Sequence, residues 1–159
     1  MNDVVLPNFL TFGAGAVSKI TDHLKSIKCN KPIIVTDKTM VNLQIIEPLE
    51  KALTSSKVKF SIYDNTIPEP TSGSIEEGVS IIKNGNYDCI IAFGGGSPID
   101  SAKAMSILAK FGGNIEDYKF PNVTIDKGIP LIAVPTTAGT GSEVTKFTII
   151  TNEKNDEKM

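Results

Sequence analysis

Gly94, Gly95, Gly96 and Ser97 close the apolar run "YDCIIAF" and open directly into "PIDSAKAMSILAKF". A strand that ends on bare backbone and feeds a helix leaves N–H groups that a ligand can approach with no side chain in the way. The helix N-terminus adds unpaired donors and partial positive charge. The chemistry served by such a turn is the binding of a phosphate or pyrophosphate. A plain tight turn is the competing reading, but it does not explain three glycines, each of which costs backbone entropy. Pro98 suits the first helical turn, where its missing N–H costs nothing. Ser97 suits either the N-cap or a phosphate contact.

The run is not the usual dinucleotide fingerprint. Read from Gly94, G-x-G-x-x-G finds Gly96 in place but Ile99 where the third glycine belongs. The acid expected about twenty residues later, at the next strand end, has only Glu116 and Asp117 as candidates. Both follow "FGGN" and read as solvated loop acids. No G-x-x-x-x-G-K-[ST] occurs, which weighs against an ATPase. An acid at a strand end does stand earlier: "PIIVTD" finishes on Asp37. There it could accept hydrogen bonds from a ribose diol, and its charge would oppose a 2′-phosphate, favouring NAD over NADP. It could equally cap the helix that "DKTM" begins.

A second dense stretch is "VPTTAGTGSEVTKF", residues 134–147. Thr136, Thr137, Gly139, Thr140, Gly141 and Ser142 offer neutral donors and little bulk, which suits threading along a cofactor. A polar surface loop is the alternative, yet this run joins two apolar segments and must lie close to a sheet edge.

The elements that hold these loops follow from the apolar pattern. "KPIIVTD" (31–37), "KVKFSIYD" (57–64), "YDCIIAF" (87–93) and "IPLIAVP" (129–135) read as strands, the last two as strands covered on both faces. Helical spacing runs through 14–28 (Val17, Ile20, Leu24, Ile27) and 39–53 (Leu43, Ile46, Leu49, Leu53), with a break or fresh start at Pro48. Ile75, Val79 and Ile82 mark a helix begun by "PEPTSGS", and 98–111 forms a well-buried one. Strand and helix alternate, so the expected fold is α/β: a Rossmann-like parallel sheet flanked by helices. "EVTKFTIIT" with the polar tail "TNEKNDEKM" predicts a C-terminal β-hairpin that is cut short, and hence a truncated chain.

Composition narrows the classes. A formal net charge of -2 gives no basic footprint for nucleic acid and no polybasic membrane patch. No apolar run reaches membrane-spanning length. "MNDVVLPNF" has neither a basic n-region nor an apolar h-region, so no leader and a cytoplasmic location are expected. Cys29 and Cys89, outside any CxxC, read as two reduced thiols.

Five pieces of this chain resemble the iron-dependent (group III) alcohol dehydrogenases, whose superfamily includes glycerol dehydrogenase and dehydroquinate synthase. They are "FGAGAV" (12–17), "IIVTDKTM" (33–40), "IPEPT" (67–71), "IIAFGGGSPIDSAKA" (90–104) and "VPTTAGTGSEVTKFTIIT" (134–151), in family order and spacing. The resemblance implies that residues 1–159 are an NAD-binding domain and that a helical metal-binding domain should follow it. Asp37 would hold the adenosine ribose, and Gly94, Gly95, Gly96, Ser97 and Asp100 the pyrophosphate side. Thr136, Thr137 and Thr140 would line the adenine and phosphate path, Thr145 and Phe147 the nicotinamide side. Lys158 matches a lysine that can approach the cofactor. A full-length parent would use Fe2+ or Zn2+ to lower the pKa of a small alcohol, with hydride passing to nicotinamide or back to an aldehyde or ketone.

The family's metal site takes one Asp and three His, and this chain has one histidine, His23. No catalytic or metal-ligating residue is therefore expected here, and the chain alone should be inactive. Two other readings stand beside this one: an NAD-using lyase of the dehydroquinate synthase type, and a stand-alone nucleotide-binding module. The apolar run "VVLPNFLTF" could extend a sheet across a homodimer.

Overall fold

The computed structural model describes residues 9–122 and 126–159. Four strands form a parallel sheet: β1 (Pro32–Val35), β2 (Ser61–Tyr63), β3 (Cys89–Gly94) and β4 (Leu131–Pro135). Their spatial order is β2-β1-β3-β4. Ile33 to Val35 pair with Ser61 to Tyr63 on one side and Ile90 to Ala92 on the other. Ile90 to Gly94 then pair with Leu131 to Pro135. The connections from β1 to β2 and from β1's other neighbour onward leave in opposite directions, so the order reverses between β1 and β3. Such a switch point opens a crevice at the carboxyl ends of the strands.

Side chains alternate across the sheet with the strand period of two. Ile33, Val35, Ile90 and Ala92 face α4 (Ser72–Gly85) and α5 (Gly96–Phe111), where they meet Ile75, Ile82, Ile99, Met105 and Leu108. Ile34, Cys89, Ile91 and Phe93 face α1 (Ile20–Ser26) and α3 (Glu47–Ser55), where they meet Ile20, Leu24, Leu49 and Leu53. Fully burying each of these aliphatic chains is worth roughly 1.5–3 kcal/mol. Close packing of α4 on α5 uses Gly78, where a Cβ would collide with the Met105 side chain.

Local chemistry sets the element ends. The expected helix 14–28 begins as a 3-10 turn, Ala16–Lys19, before α1. The expected helix 39–53 divides into α2 (Lys38–Asn42) and α3, and α3 restarts around Pro48 in its first turn. Thr71 caps α4 through a capping box with Ser74. The C-terminal hairpin pairs β5 (Thr151–Asn152) with β6 (Glu157–Lys158). Residues 143–150 of the expected strand "EVTKFTIIT" form no strand; side chains of α5 occupy part of their backbone instead.

The expectation of two reduced thiols is corrected. Cys29 and Cys89 are joined as a disulfide, with Cα atoms 5.9 Å apart. The cause is register: Pro32 pairs with Cys89 at the amino end of the sheet, which draws the loop before β1 against the start of β3. The run expected to pair across a homodimer lies largely outside the described residues, and its residues 9–12 form no strand. Among the described residues no helix is long and apolar enough to cross a membrane.

Candidate dinucleotide site

The crevice at the β1/β3 switch is a cleft of about 860 Å3, and both strand ends contribute to it. Gly95, Gly96, Ser97 and Pro98 come from the β3–α5 turn, Asp37 to Met40 from the β1–α2 turn, and Thr137 from the loop after β4. Gly94 has φ +144°, and a Cβ there would lie 2.8 Å from Pro98 Cγ, so this position requires glycine. Gly95 is the N-cap of α5 and supplies no side-chain cap. Ser97 therefore lies inside the first turn and is not the cap, and the leading N–H groups of α5 lack a side-chain acceptor. Pro98 has no N–H to satisfy, which limits the unpaired donors to the residues before it.

Asp37 caps the next helix, as its sequence context allows, and keeps one oxygen free of that cap. Its Oδ1 accepts hydrogen bonds from Thr39 N (2.8 Å) and Met40 N (3.1 Å), capping α2. Its Oδ2 is directed toward the glycine turn, 3.6 Å from where a Gly94 side chain would begin. One oxygen is used by the fold and the other faces the cleft region.

The threonine loop closes over the same turn. Thr136 N donates to Gly94 O at 2.9 Å, continuing the β3–β4 ladder. Thr137 Oγ1 stands 3.2 Å from the position of a Gly95 Cβ. Ser142 Oγ and Thr140 Cβ stand 3.4 and 3.6 Å from that of Gly96. Any side chain at Gly95 or Gly96 would project into the narrow space between α5 and this loop.

Gly94, Thr136 and Thr140 adjoin the turn without lining the cleft, and the remaining candidates lie outside its wall as well. Asp100 pairs with Lys103, its Oδ1 3.0 Å from Lys103 Nζ, and its Oδ2 accepts from Ile149 N at 3.4 Å. Thr145 and Phe147 lie further along the loop, and their carbonyls accept hydrogen bonds from Lys103. Lys158, on β6, has Nζ 3.5 Å from Glu69 Oε2. The structure also adds residues that pattern reading gave no role. Asn65, Pro68, Thr71, Glu77 and Glu153 also line the cleft. The signal available for them was "IPEPT", whose two prolines and cap residue mark a rigid turn at the end of β2. Glu153 reaches the cleft because its Oε2 accepts from Gly73 N at 3.1 Å, docking the hairpin on α4.

Burial pushes the Tyr63 hydroxyl up to about 12, helped by the charges of Glu77 and Asp64. It stays protonated and donates to Ser74 O at 3.3 Å, tying β2 to α4 beside the cleft.

Comparison with known proteins agrees with this geometry. Alcohol dehydrogenase 4 of Saccharomyces cerevisiae is 38% identical over 154 residues, covering 97% of this chain and 40% of that protein. The crystal structure of an alcohol dehydrogenase from Oenococcus oeni superposes with a TM-score of 0.93 at 36% identity, covering 99% of this chain and 42% of that one. A sulfoacetaldehyde reductase from Bifidobacterium kashiwanohense, solved in complex with NAD+, gives a TM-score of 0.88 at 31% identity, again covering 99% and 42%. The chain thus spans about two-fifths of the length of the relatives it matches. The model of the iron-containing alcohol dehydrogenases matches residues 7–159, and the chain belongs to that family, as an N-terminal domain.

Proposed function

We propose that this chain is the cofactor half of an NAD-linked alcohol dehydrogenase that interconverts a primary or secondary alcohol with its aldehyde or ketone. The observation that carries the reading is the uncapped start of α5, opening into the cleft beside Asp37. NAD bound there supplies the hydride acceptor and, when reduced, the donor. This chain binds and orients it. The N–H groups of Gly95, Gly96 and Ser97, with the helix dipole behind them, take the pyrophosphate. Asp37 Oδ2 takes a ribose diol. Thr136, Thr137 and Thr140 border the path, and Thr145 and Phe147 border the nicotinamide half. Asp64, Glu77 and Glu153 line the same cleft and add negative charge, which disfavours the 2′-phosphate of NADP. The NAD+ complex of the related sulfoacetaldehyde reductase supports the choice of cofactor.

Iron does not fit the described residues. His23 Nε2 lies 2.8 Å from Thr11 Oγ1, and His23 does not line the cleft. Among the described residues, the one set of three potential ligands within reach of each other is Cys29, Asp88 and Cys89, whose sulfurs are bonded together. The parent's metal is therefore assigned to a second domain, and this chain alone is expected to be inactive. The reading carries a cytoplasmic setting.

Titration calorimetry with NAD, NADP and ATP tests the cofactor assignment. NAD should bind most tightly; tight ATP binding without NAD binding overturns it. Alcohol-dependent NADH formation by this chain, with Fe2+ supplied, would overturn the claim of inactivity.

A further inference from the structure

The amino end of the sheet, away from the cleft, holds the chain's two cysteines. Cys29 and Cys89 are bonded, yet their surroundings differ. Cys89 opens β3 and is fully buried in the core layer that faces α1 and α3. Cys29 lies in the loop before β1 and is partly exposed. A second set of contacts joins the same two places without sulfur. Asp88 Oδ2 accepts from Asn30 N at 2.8 Å, and its Oδ1 accepts from Lys31 N at 2.8 Å. Asp88 N donates in turn to Lys31 O at 3.2 Å. An Asp88 carboxylate oxygen and both sulfurs lie within 4.8 Å of one another. Breaking the S–S bond would therefore leave loop and strand tied by these three hydrogen bonds, with Pro32 still paired to Cys89 in the ladder.

Exchange between thiols and disulfides depends on which sulfur is open to attack and which one leaves. Here the open sulfur is that of Cys29. We propose that Cys29 and Cys89 are a reversible dithiol–disulfide site for small-molecule thiols, entered at Cys29 and reclosed by Cys89, with Asp88 holding the sulfurs in reach while the bond is open. A thiolate attacks Cys29 Sγ and forms a mixed disulfide there. The electron pair of the broken S–S bond passes to Cys89 Sγ, which takes a proton from solvent. A second thiol attacks the outer sulfur of the mixed disulfide. It releases the small-molecule disulfide and a Cys29 thiolate, which is then protonated. Two small thiols are oxidised to one disulfide, and the protein disulfide is reduced to two thiols. Reclosure runs through the same mixed disulfide, with Cys89 attacking Cys29 Sγ and expelling the small thiolate. Asp88 is a positioning residue: it keeps the effective concentration of Cys89 at Cys29 high. The inference stands apart from the NAD reading, because none of these residues lines the cleft.

Equilibration with mixtures of reduced and oxidised glutathione, quenched by alkylation and read by mass, tests this on the folded protein. Wild-type protein should pass between no adduct and two adducts without denaturant. Peptide maps of early quenches should find glutathione on Cys29 and not on Cys89. Cys89→Ala should take up one glutathione at Cys29, at least about tenfold faster than Cys29→Ser does at Cys89. Asp88→Ala should favour the open form about tenfold more than wild type, read from the glutathione ratio at half oxidation. Asp88→Asn, which keeps one acceptor, should shift that ratio about threefold. A bond that opens only in denaturant is a structural crosslink and overturns the inference. Glutathione found on Cys89 as readily as on Cys29 overturns it too, as does an unchanged ratio in Asp88→Ala. If Cys89→Ala does not fold, the wild-type peptide map decides the point of entry alone.

Discussion

β1 and β3 lie side by side, and each runs straight into a helix, yet their turns leave the helix ends in opposite states. At the end of β1, Asp37 Oδ1 accepts two backbone N–H groups and closes the start of α2. At the end of β3, Gly95 closes nothing, and α5 begins with no side-chain cap. A cap is worth about 1 kcal/mol, and α5 forgoes it while α2, a much shorter helix, keeps it. α5 can do so because Ile99, Ala102, Met105 and Leu108 bury it against the sheet and α4. The difference teaches where the fold leaves its leading donors without a side-chain acceptor and where it uses them itself.

Substitutions at the two turns should separate these states, and Gly94 should give the largest effect. Gly94→Ala places a methyl group at φ +144° against Pro98. It should cost about 2–4 kcal/mol and lower Tm on the order of 5–15 °C, with nucleotide binding lost as the turn shifts. Differential scanning calorimetry measures the first effect and titration the second. Gly96→Ala comes next and should separate binding from folding. Its methyl meets Ser142 Oγ at 3.4 Å, which the free protein tolerates. Stability should move by less than about 0.5 kcal/mol, while NAD affinity falls at least about tenfold. If both fell together, the turn would be structural and the contrast with Asp37 would collapse.

The Asp37 turn should respond the other way round. Asp37→Ala should lower stability by about 1 kcal/mol through the lost cap. Asp37→Asn retains an acceptor for the cap and should be nearly neutral in a melt, yet it should narrow the preference for NAD over NADP in a competition titration. The smallest effect lies beside the cleft at Tyr63. Its folded pKa of about 12 stands above the ordinary value of 10.0. Its contribution is therefore complete below pH 10 and declines as the pH rises toward 12. Tyr63→Phe should flatten that alkaline fall in a pH series of melts.

The strands, their parallel pairing and the glycine turn were legible because each depends on local pattern: near-continuous apolar runs, three glycines, a proline in the first turn. Asp37 was legible as an acid at a strand end, but sequence alone could not divide its two oxygens between cap and cleft. The contacts of Lys103 were not legible. It sits in "DSAKA", where a lysine three residues after an aspartate reads as an ordinary helix-surface pair. Its main partners, Thr145 and Phe147, are contacts that only the folded crossover creates. The same contacts explain why residues 143–150 of "EVTKFTIIT", with their alternating β-formers, did not become a strand: side chains of α5 occupy part of their backbone. Glu153 was hidden for a similar reason, since hairpin docking on α4 brings it to the cleft.

The Cys29–Cys89 bond joins the sheet at the row where Pro32 meets Cys89. A slip of β1 by one residue would send every inward side chain to the wrong face and carry Cys29 out of line with Cys89. The two sulfurs thus act as a chemical label of alignment. In oxidised protein, a thiol-alkylating reagent should count only the molecules whose central strands are mispaired. The mass of two adducts per molecule would then score the quality of a preparation before any ligand is added.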